Sequence, residues 1–176
     1  HHAKYVLANG CDSVTLFGTT GEGAALGAPA RTAMLGALVG AGIDPARQIY
    51  AGIAASSLHE AVEQAQTALS IGAKGLLVAP PFYFKGVSDE GLYAWFSQFF
   101  EKLGPSARNT ILYHIPSVTA VNISVGLVER LKKAFPGVVT GVKDSSCDYP
   151  TTEAFLKAHE ELAILVGDER LLARAV

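Results

Sequence analysis

Short apolar runs alternate with longer segments of helical periodicity along the whole chain. Continuous apolar runs of four to six residues are typical of strands buried in a parallel sheet. Six short runs rich in β-forming and apolar residues cover residues 13–17, 48–53, 75–79, 111–115, 138–142 and 163–166. Between them, apolar residues recur at spacings of three and four, which predicts helices with one buried face. One such face comprises Leu58, Ala61, Val62, Ala65 and Leu69. The pattern predicts an α/β fold.

Residues that start and stop helices lie where this pattern requires them. Ser88 and Ser124 each precede a helical segment and can accept a hydrogen bond from its first turn. Gly104 and Pro136 end these two segments, and Pro29 suits the first turn of the helix after the first strand.

The spacing of the strands predicts a (β/α)8 TIM barrel. Strand starts are 25 to 36 residues apart, the length of one strand-helix unit. Eight units need about 240 residues, so a chain of 176 holds six. Residues 1–10 resemble the second half of a helix, and residues 171–176 resemble the start of another. We therefore expect a single barrel domain over residues 1–176, incomplete at both ends and covering about strands two to seven.

An open, doubly wound sheet is the alternative, and it would be complete at this length. The polar residues favour the barrel, because a barrel gathers all its strand ends at one mouth whereas an open sheet gathers only those beside its switch point. Polar residues follow the strands at 18–22, 56–57, Tyr83, Tyr113, 143–146 and 167–169.

Charge and composition exclude several classes of partner. The 14 basic and 16 acidic residues give a net charge of −2, with no basic cluster for nucleic acid or an anionic membrane. No apolar stretch approaches the roughly 20 residues of a membrane helix. Two cysteines, Cys11 and Cys147, make no disulfide framework, so we expect a cytoplasmic protein. The charge leaves a small molecule as the expected ligand.

Lys143 is the strongest candidate for chemistry. A lysine at a strand end usually extends a charged head into solvent. At a barrel mouth it could instead attack a carbonyl, for which its amine must be neutral. Tyr113, in the fourth predicted strand, is either a core aromatic or a proton relay to an intermediate on Lys143.

The segment Gly18-Thr19-Thr20-Gly21-Glu22-Gly23 forms a glycine-rich turn that matches neither common nucleotide-phosphate motif. Its two hydroxyls and its backbone N–H groups could bind a small carboxylate, or it could be a plain connection. Glu22 could cap the turn or act as a base.

Neither a metal site nor a serine hydrolase is expected. His59, His114 and His159 lie on separate elements without a second ligand nearby in sequence, and His159, beside two glutamates, is expected to be solvated. The G-x-S-x-G motif of a nucleophile elbow does not occur.

Three motifs together resemble the dihydrodipicolinate synthase and N-acetylneuraminate lyase superfamily. They are the turn at 18–22, Tyr113-x-x-Pro116, and Gly141-Val142-Lys143-Asp144, in the same order and spacing. The resemblance implies a (β/α)8 barrel, commonly a homotetramer or homodimer, that forms a Schiff base with pyruvate or another 2-oxo acid. It implies no metal or organic cofactor beyond that covalent bond to lysine.

The resemblance also implies a role for each matching residue. Lys143 would form the Schiff base and Tyr113 would relay protons. Thr19 and Thr20 would bind the carboxylate of the 2-oxo acid, and Thr20 would also pass protons to Tyr113. Tyr83 matches a tyrosine that completes the relay of a neighbouring subunit.

Residues around the second substrate indicate the branch of the family. Gly167 matches a glycine that lines the substrate, and Ser145, Asp168 and Glu169 match positions that face substrate hydroxyls in lyases. Val118 stands where synthases carry an arginine for the aldehyde's carboxylate, and an apolar side chain cannot replace it.

We therefore expect a Schiff-base aldolase or lyase that joins a 2-oxo acid to an aldehyde or cleaves a 2-oxo-3-deoxy sugar acid. One alternative is a dihydrodipicolinate synthase, which condenses pyruvate with aspartate semialdehyde. The other is a catalytically silent barrel that only binds ligand.

Overall fold

The computed structural model describes residues 1–176 and contains one curled sheet of six parallel strands. The strands are β1 Val14–Leu16, β2 Ile49–Ile53, β3 Gly75–Val78, β4 Thr110–His114, β5 Val139–Asp144 and β6 Ala163–Val166. Their order in the sheet equals their order in the chain. A doubly wound sheet reverses its order at a switch point. The sequential order confirms the barrel and excludes the open sheet.

Nine α-helices surround this sheet, and none is both long and apolar enough to cross a membrane. They are α1 His2–Ala8, α2 Ala28–Gly40, α3 Pro45–Gln48, α4 Leu58–Ser70, α5 Asp89–Leu103, α6 Pro116–Thr119, α7 Val125–Ala134, α8 Tyr149–Ala158 and α9 Glu169–Ala175. Short 3-10 helices cover Gly23–Ala25 and Gly104–Ser106.

The predicted helix boundaries are confirmed where a side chain satisfies free backbone groups. The Ser88 hydroxyl accepts a hydrogen bond from the N–H of Gly91, and that of Ser124 accepts one from Leu127. Gly104 ends α5 with a positive φ of 52°, a conformation that glycine adopts without strain. The helix expected from residue 171 begins at Glu169 instead, because Asp168 caps it.

Alternation along the strands separates two apolar clusters. The larger, of 29 buried residues, fills the space between the sheet and the helices and includes the fully buried Phe96, Phe99 and Phe155. The smaller lies on the inner face of the sheet and comprises Leu77, Ala79, Ile111, Tyr113 and Ile115. Residues two apart on a strand share a face, so Tyr113 projects to the inner side while Leu112 packs against helices.

Five of the six strands differ from the predicted runs by one or two residues at an end, and two of these differences bear on the site. Residue 17 was expected to continue the first strand, but Phe17 leaves it with a positive φ of 61°. Lys143 was expected at the end of its strand, yet β5 continues to Asp144, which pairs with His114 on one side and Val166 on the other.

Candidate active site

Lys143 and Tyr113 face each other across neighbouring strands. In the parallel register of β4 and β5, Tyr113 pairs directly with Lys143, so both side chains project to the inner face. The Lys143 Nζ lies 4.7 Å from the centre of the Tyr113 ring, within the range of a cation–π contact. Tyr113 is buried, with 7% of its surface exposed, and Lys143 is half-buried. The structure thus brings together the two residues on which the predicted chemistry depends.

The glycine-rich turn after β1 supplies a hydroxyl to the same place. The Thr19 Oγ1 lies 3.4 Å from the Tyr113 hydroxyl. The turn is closed by hydrogen bonds from the N–H of Glu22 to the Thr19 carbonyl and from Gly23 to the Gly18 carbonyl. Thr20 is exposed and its hydroxyl forms no hydrogen bond. The threonine hydroxyl that contacts Tyr113 is therefore that of Thr19, and the relay role of Thr20 stays a prediction.

A cavity of about 210 Å³ opens between this turn and the inner face of the sheet. Its wall includes Thr19, Glu22, Tyr113 and Val118, and most of its other residues are apolar. Lys143 is not part of the wall, but the Tyr113 ring that it contacts is. The cavity can hold a small organic molecule, and the polar groups of Thr19, Glu22 and Tyr113 share its wall with Val118.

The ends of β4, β5 and β6 hold Ser145 and Gly167 side by side. Ser145 N–H donates to the His114 carbonyl, and Gly167 N–H donates to the Asp144 carbonyl, both at 2.7 Å. A Cβ on Gly167 would lie 2.1 Å from the Ser145 Oγ and 2.9 Å from the Asp144 carbonyl oxygen, so a side chain there would displace Ser145 and crowd the backbone of β5. These two predicted substrate-lining positions are neighbours in the fold.

Asp168 and Glu169 occupy the start of α9. The Asp168 carboxylate accepts hydrogen bonds from the Arg170 guanidinium at 2.7 to 3.2 Å and from the Arg170 N–H at 3.0 Å. These bonds hold the pKa of Asp168 down at about 2. Glu169 is exposed in the first helical turn. Asp168 is thus occupied by Arg170, while Glu169 is free to meet a ligand.

Tyr83 lies on the surface, 73% exposed, and packs edge-to-face against Phe84 with ring centres 5.1 Å apart. Its N–H donates to the Ser56 hydroxyl, which anchors the loop after β3. An exposed tyrosine suits the expected role in a neighbouring subunit, which stays a prediction.

A buried polar network behind Lys143 was not predicted from the sequence. The Asp144 carboxylate accepts hydrogen bonds from the Thr152 hydroxyl at 2.6 Å and from the Ser146 N–H at 3.0 Å. His114 Nδ1 accepts the Ile123 N–H, so the neutral ring carries its proton on Nε2, 4.0 Å from Asp144. Burial lowers the pKa of His114, and the charge of Asp144 opposes that effect. The alternation of side chains along a strand could have indicated this network. Lys143 points inward, so the next residue, Asp144, must point toward the helices.

The prediction that His159 is solvated is wrong. Only 1% of it is exposed, because it ends α8 against the start of α7, where its Nε2 lies 3.2 Å from the Val125 carbonyl. Its ligand atom lies within 4.8 Å of those of Glu129 and Glu161, a grouping that could hold a metal ion. In the structure the ammonium of Lys132 pairs with both carboxylates. The grouping joins distant parts of the chain, so sequence spacing does not reveal it.

Comparison with known proteins identifies the family. The profile of the Dihydrodipicolinate synthetase family matches residues 1–176. The chain belongs to this family. Among curated relatives of the dihydrodipicolinate synthetase family, an uncharacterized DapA-like lyase of Chloroflexus aurantiacus is 30% identical over 175 residues. The match covers 99% of this chain and 58% of that protein, so the chain spans little more than half the length of this relative.

Solved structures of dihydrodipicolinate synthetase family proteins show the same fold. The crystal structure of dihydrodipicolinate synthase from Agrobacterium tumefaciens is 57% identical, with a TM-score of 0.95 over 99% of this chain and 60% of that one. The enzyme from Acinetobacter baumannii, complexed with pyruvate, is 28% identical, with a TM-score of 0.85 over 98% of this chain and 57% of that one. The family and the barrel predicted from the sequence are both confirmed.

Proposed function

We propose that this chain carries the active site of a Schiff-base aldolase or lyase acting on pyruvate or a related 2-oxo acid. The observation that carries the proposal is the grouping of Lys143, Tyr113 and Thr19 at the carboxyl ends of the strands, beside a cavity of substrate size. Active sites of (β/α) barrels lie at this face. The pyruvate complex of the Acinetobacter baumannii relative supports the choice of a 2-oxo acid.

The proposed reaction begins when the neutral Lys143 amine attacks the keto carbon of the 2-oxo acid. A carbon–nitrogen bond forms, the keto oxygen leaves as water after accepting protons through Tyr113, and an iminium remains. The iminium withdraws electrons, so the methyl carbon loses a proton to Tyr113 and becomes an enamine. The enamine carbon then bonds to the carbonyl carbon of an aldehyde, whose oxygen takes the proton held by Tyr113. Water adds to the iminium that results and releases the product from Lys143. The reverse sequence cleaves the same bond.

The carboxylate of the 2-oxo acid would sit at the turn that carries Thr19 and Thr20. Hydroxyl and backbone N–H groups of such a turn donate hydrogen bonds to an anion. Because the lysine itself provides the electron sink, the proposed reaction uses no metal and no organic cofactor.

The aldehyde is expected to carry hydroxyl groups rather than a carboxylate near Val118. This side chain is 59% exposed in the wall of the cavity and offers no hydrogen-bond donor to an anion. Ser145 and Glu169 lie at the neighbouring strand ends and could bind hydroxyl groups. A 2-oxo-3-deoxy sugar acid is thus the proposed product or substrate.

A dihydrodipicolinate synthase is the second candidate, supported by the 57% identity to the protein of that name from Agrobacterium tumefaciens. It would need another cation to bind the carboxylate of aspartate semialdehyde in place of the missing arginine. Parallel assays with aspartate semialdehyde and with hydroxylated aldehydes separate the two candidates.

Tyr83 suggests that the working form is a homodimer or homotetramer. Its exposed ring makes no contact with Tyr113 of its own chain, so it could serve the site of a neighbouring copy.

Exchange of the pyruvate methyl hydrogens with deuterated water tests the proposal without knowledge of the aldehyde. Enamine formation must exchange these hydrogens, and proton NMR follows their loss. The chain should accelerate exchange, and Lys143→Met should abolish the acceleration. Lys74→Met is the matched control, because Lys74 Nζ also lies over a tyrosine ring, 5.4 Å from the centre of Tyr50. No acceleration by the unmodified chain, or equal loss in both variants, would contradict the proposal.

A further inference from the structure

Arg31 is a buried cation beneath the glycine-rich turn. It lies in α2 with only 3% of its surface exposed, and it forms no ion pair with a carboxylate. Its guanidinium instead donates to the carbonyl oxygens of Gly23 at 3.2 Å and Gly52 at 2.5 Å. Burial lowers the pKa of Arg31 to about 10, while the charge of Glu60 opposes this effect. A buried charge without a carboxylate partner is costly for folding, which points to a role for its contacts beyond packing.

These contacts connect two separate pieces of the inner wall. Gly23 closes the turn that carries the two threonines, and Gly52 belongs to β2. The guanidinium also lies 4.1 Å from the centre of the Phe17 ring, and Phe17 immediately precedes the turn. Arg31 therefore holds the entry and the exit of the turn against the neighbouring strand.

The backbone that Arg31 holds is strained and tightly packed. Phe17 has a positive φ of 61°, an unfavourable conformation for a bulky residue. A Cβ on Gly23 or on Gly52 would lie 1.9 or 2.4 Å from the Phe17 carbonyl oxygen. This conformation persists only if surrounding contacts fix it, and the Arg31 guanidinium contacts all three residues.

We propose that Arg31 is a positioning residue that sets the carboxylate-binding turn of the site. The inference rests on the proposed function, because it assigns the turn to the carboxylate of the 2-oxo acid. A planar guanidinium can donate in two directions while one face stacks on an aromatic ring. A lysine ammonium at the same point can also donate to carbonyl groups, but it lacks the planar fork that donates in fixed directions while it stacks on the Phe17 ring. Arg31 touches no substrate itself and acts through the placement of Thr19 and Thr20.

The test compares pyruvate with methyl pyruvate, which has the same keto group but no carboxylate charge. Borohydride traps the Schiff base, and the concentration of each compound that gives half-maximal trapping is measured for the unmodified chain, Arg31→Lys and Arg31→Met. If the turn is displaced, the half-maximal concentration of pyruvate should rise on the order of 10²-fold in Arg31→Met and by a smaller factor in Arg31→Lys. The value for methyl pyruvate should change little, because it does not depend on carboxylate binding.

Arg130→Met is the matched control. Arg130 also stacks on an aromatic ring, 4.3 Å from the centre of Tyr93, but it lies on the surface and pairs with Glu90. The Arg130→Met variant should have the same half-maximal concentrations for both compounds as the unmodified chain. Circular dichroism establishes that each variant is folded.

The outcomes of this experiment test the proposed function and the positioning role of Arg31 separately. If the unmodified chain traps neither compound, the proposed function fails. If the unmodified chain traps both compounds, but the Arg31 variants raise the two half-maximal concentrations equally or not at all, the proposed function stands and the positioning role is refuted. If both Arg31 variants fail to fold, Arg31 serves the fold as a whole and the positioning role is likewise refuted.

Discussion

Replacing Tyr113 by Phe should lower the rate of catalysis strongly and the free energy of unfolding only slightly. The variant keeps the ring beside Lys143 and removes only the hydroxyl, whose partner is the Thr19 Oγ1 at 3.4 Å. That distance lies beyond the usual range of hydroxyl hydrogen bonds, so the free energy of unfolding should fall by no more than about 1 kcal/mol. Loss of a proton relay should lower the rate of pyruvate methyl exchange by about 10²- to 10⁴-fold.

Urea unfolding and proton NMR exchange measure these two effects on the same sample. Tyr50→Phe is the control, since Tyr50 lies beside Lys74 in the same way and has no assigned role. A Thr19→Val variant should have a smaller effect once Tyr113 is already Phe, because the two hydroxyls act together. An exchange rate within about tenfold of the unmodified chain, or a loss of several kcal/mol in stability, would refute the assignment of Tyr113 as the relay.

Two further predictions concern the framework of the site. The lowered pKa of His114 means that the unfolded chain takes up a proton more readily. Stability should therefore be full above the unfolded value of about 6.5, decline as the pH falls from there to the lower folded value, and level off below it. His114→Asn, whose side-chain oxygen can accept the Ile123 N–H, should flatten this decline in urea midpoints measured across pH; an unchanged slope would point to another group. Gly52→Ala forces a Cβ to within 2.4 Å of the Phe17 carbonyl and should cost at least about 1–3 kcal/mol in urea unfolding, whereas Gly36→Ala, in open space, should cost none.

The sequence predicts the fold because strand and helix signals repeat at the spacing of a barrel unit. Apolar runs, serine caps and Gly104 mark the elements, and Phe17 departs from the pattern only because its backbone turns away from the sheet. The assignment of Lys143 and Tyr113 to one site also follows from the sequence, since parallel strands end at the same face.

The contacts within the site do not follow from the sequence. Direct pairing of Tyr113 with Lys143 depends on a shift of register between Thr110 and Ile111, which no local motif signals. The hydroxyl beside Tyr113 is that of Thr19, because the turn closes through the Gly18 and Thr19 carbonyls.

Contacts between elements that are far apart in the chain cannot be predicted either, because no local motif signals them. Nothing near Arg31 in the chain indicates that its partners are carbonyl groups, and His159 resembles a surface residue until α8 packs against α7. The contact of Asp168 is local by contrast, because Arg170, only two positions away, binds its carboxylate.

Peptide mapping of the adduct formed with pyruvate and borohydride tests the central claim most directly. Tandem mass spectrometry of the digested chain should find the reduced three-carbon adduct on Lys143 and on no other lysine. An adduct confined to another lysine, or none at saturating pyruvate, would contradict the account.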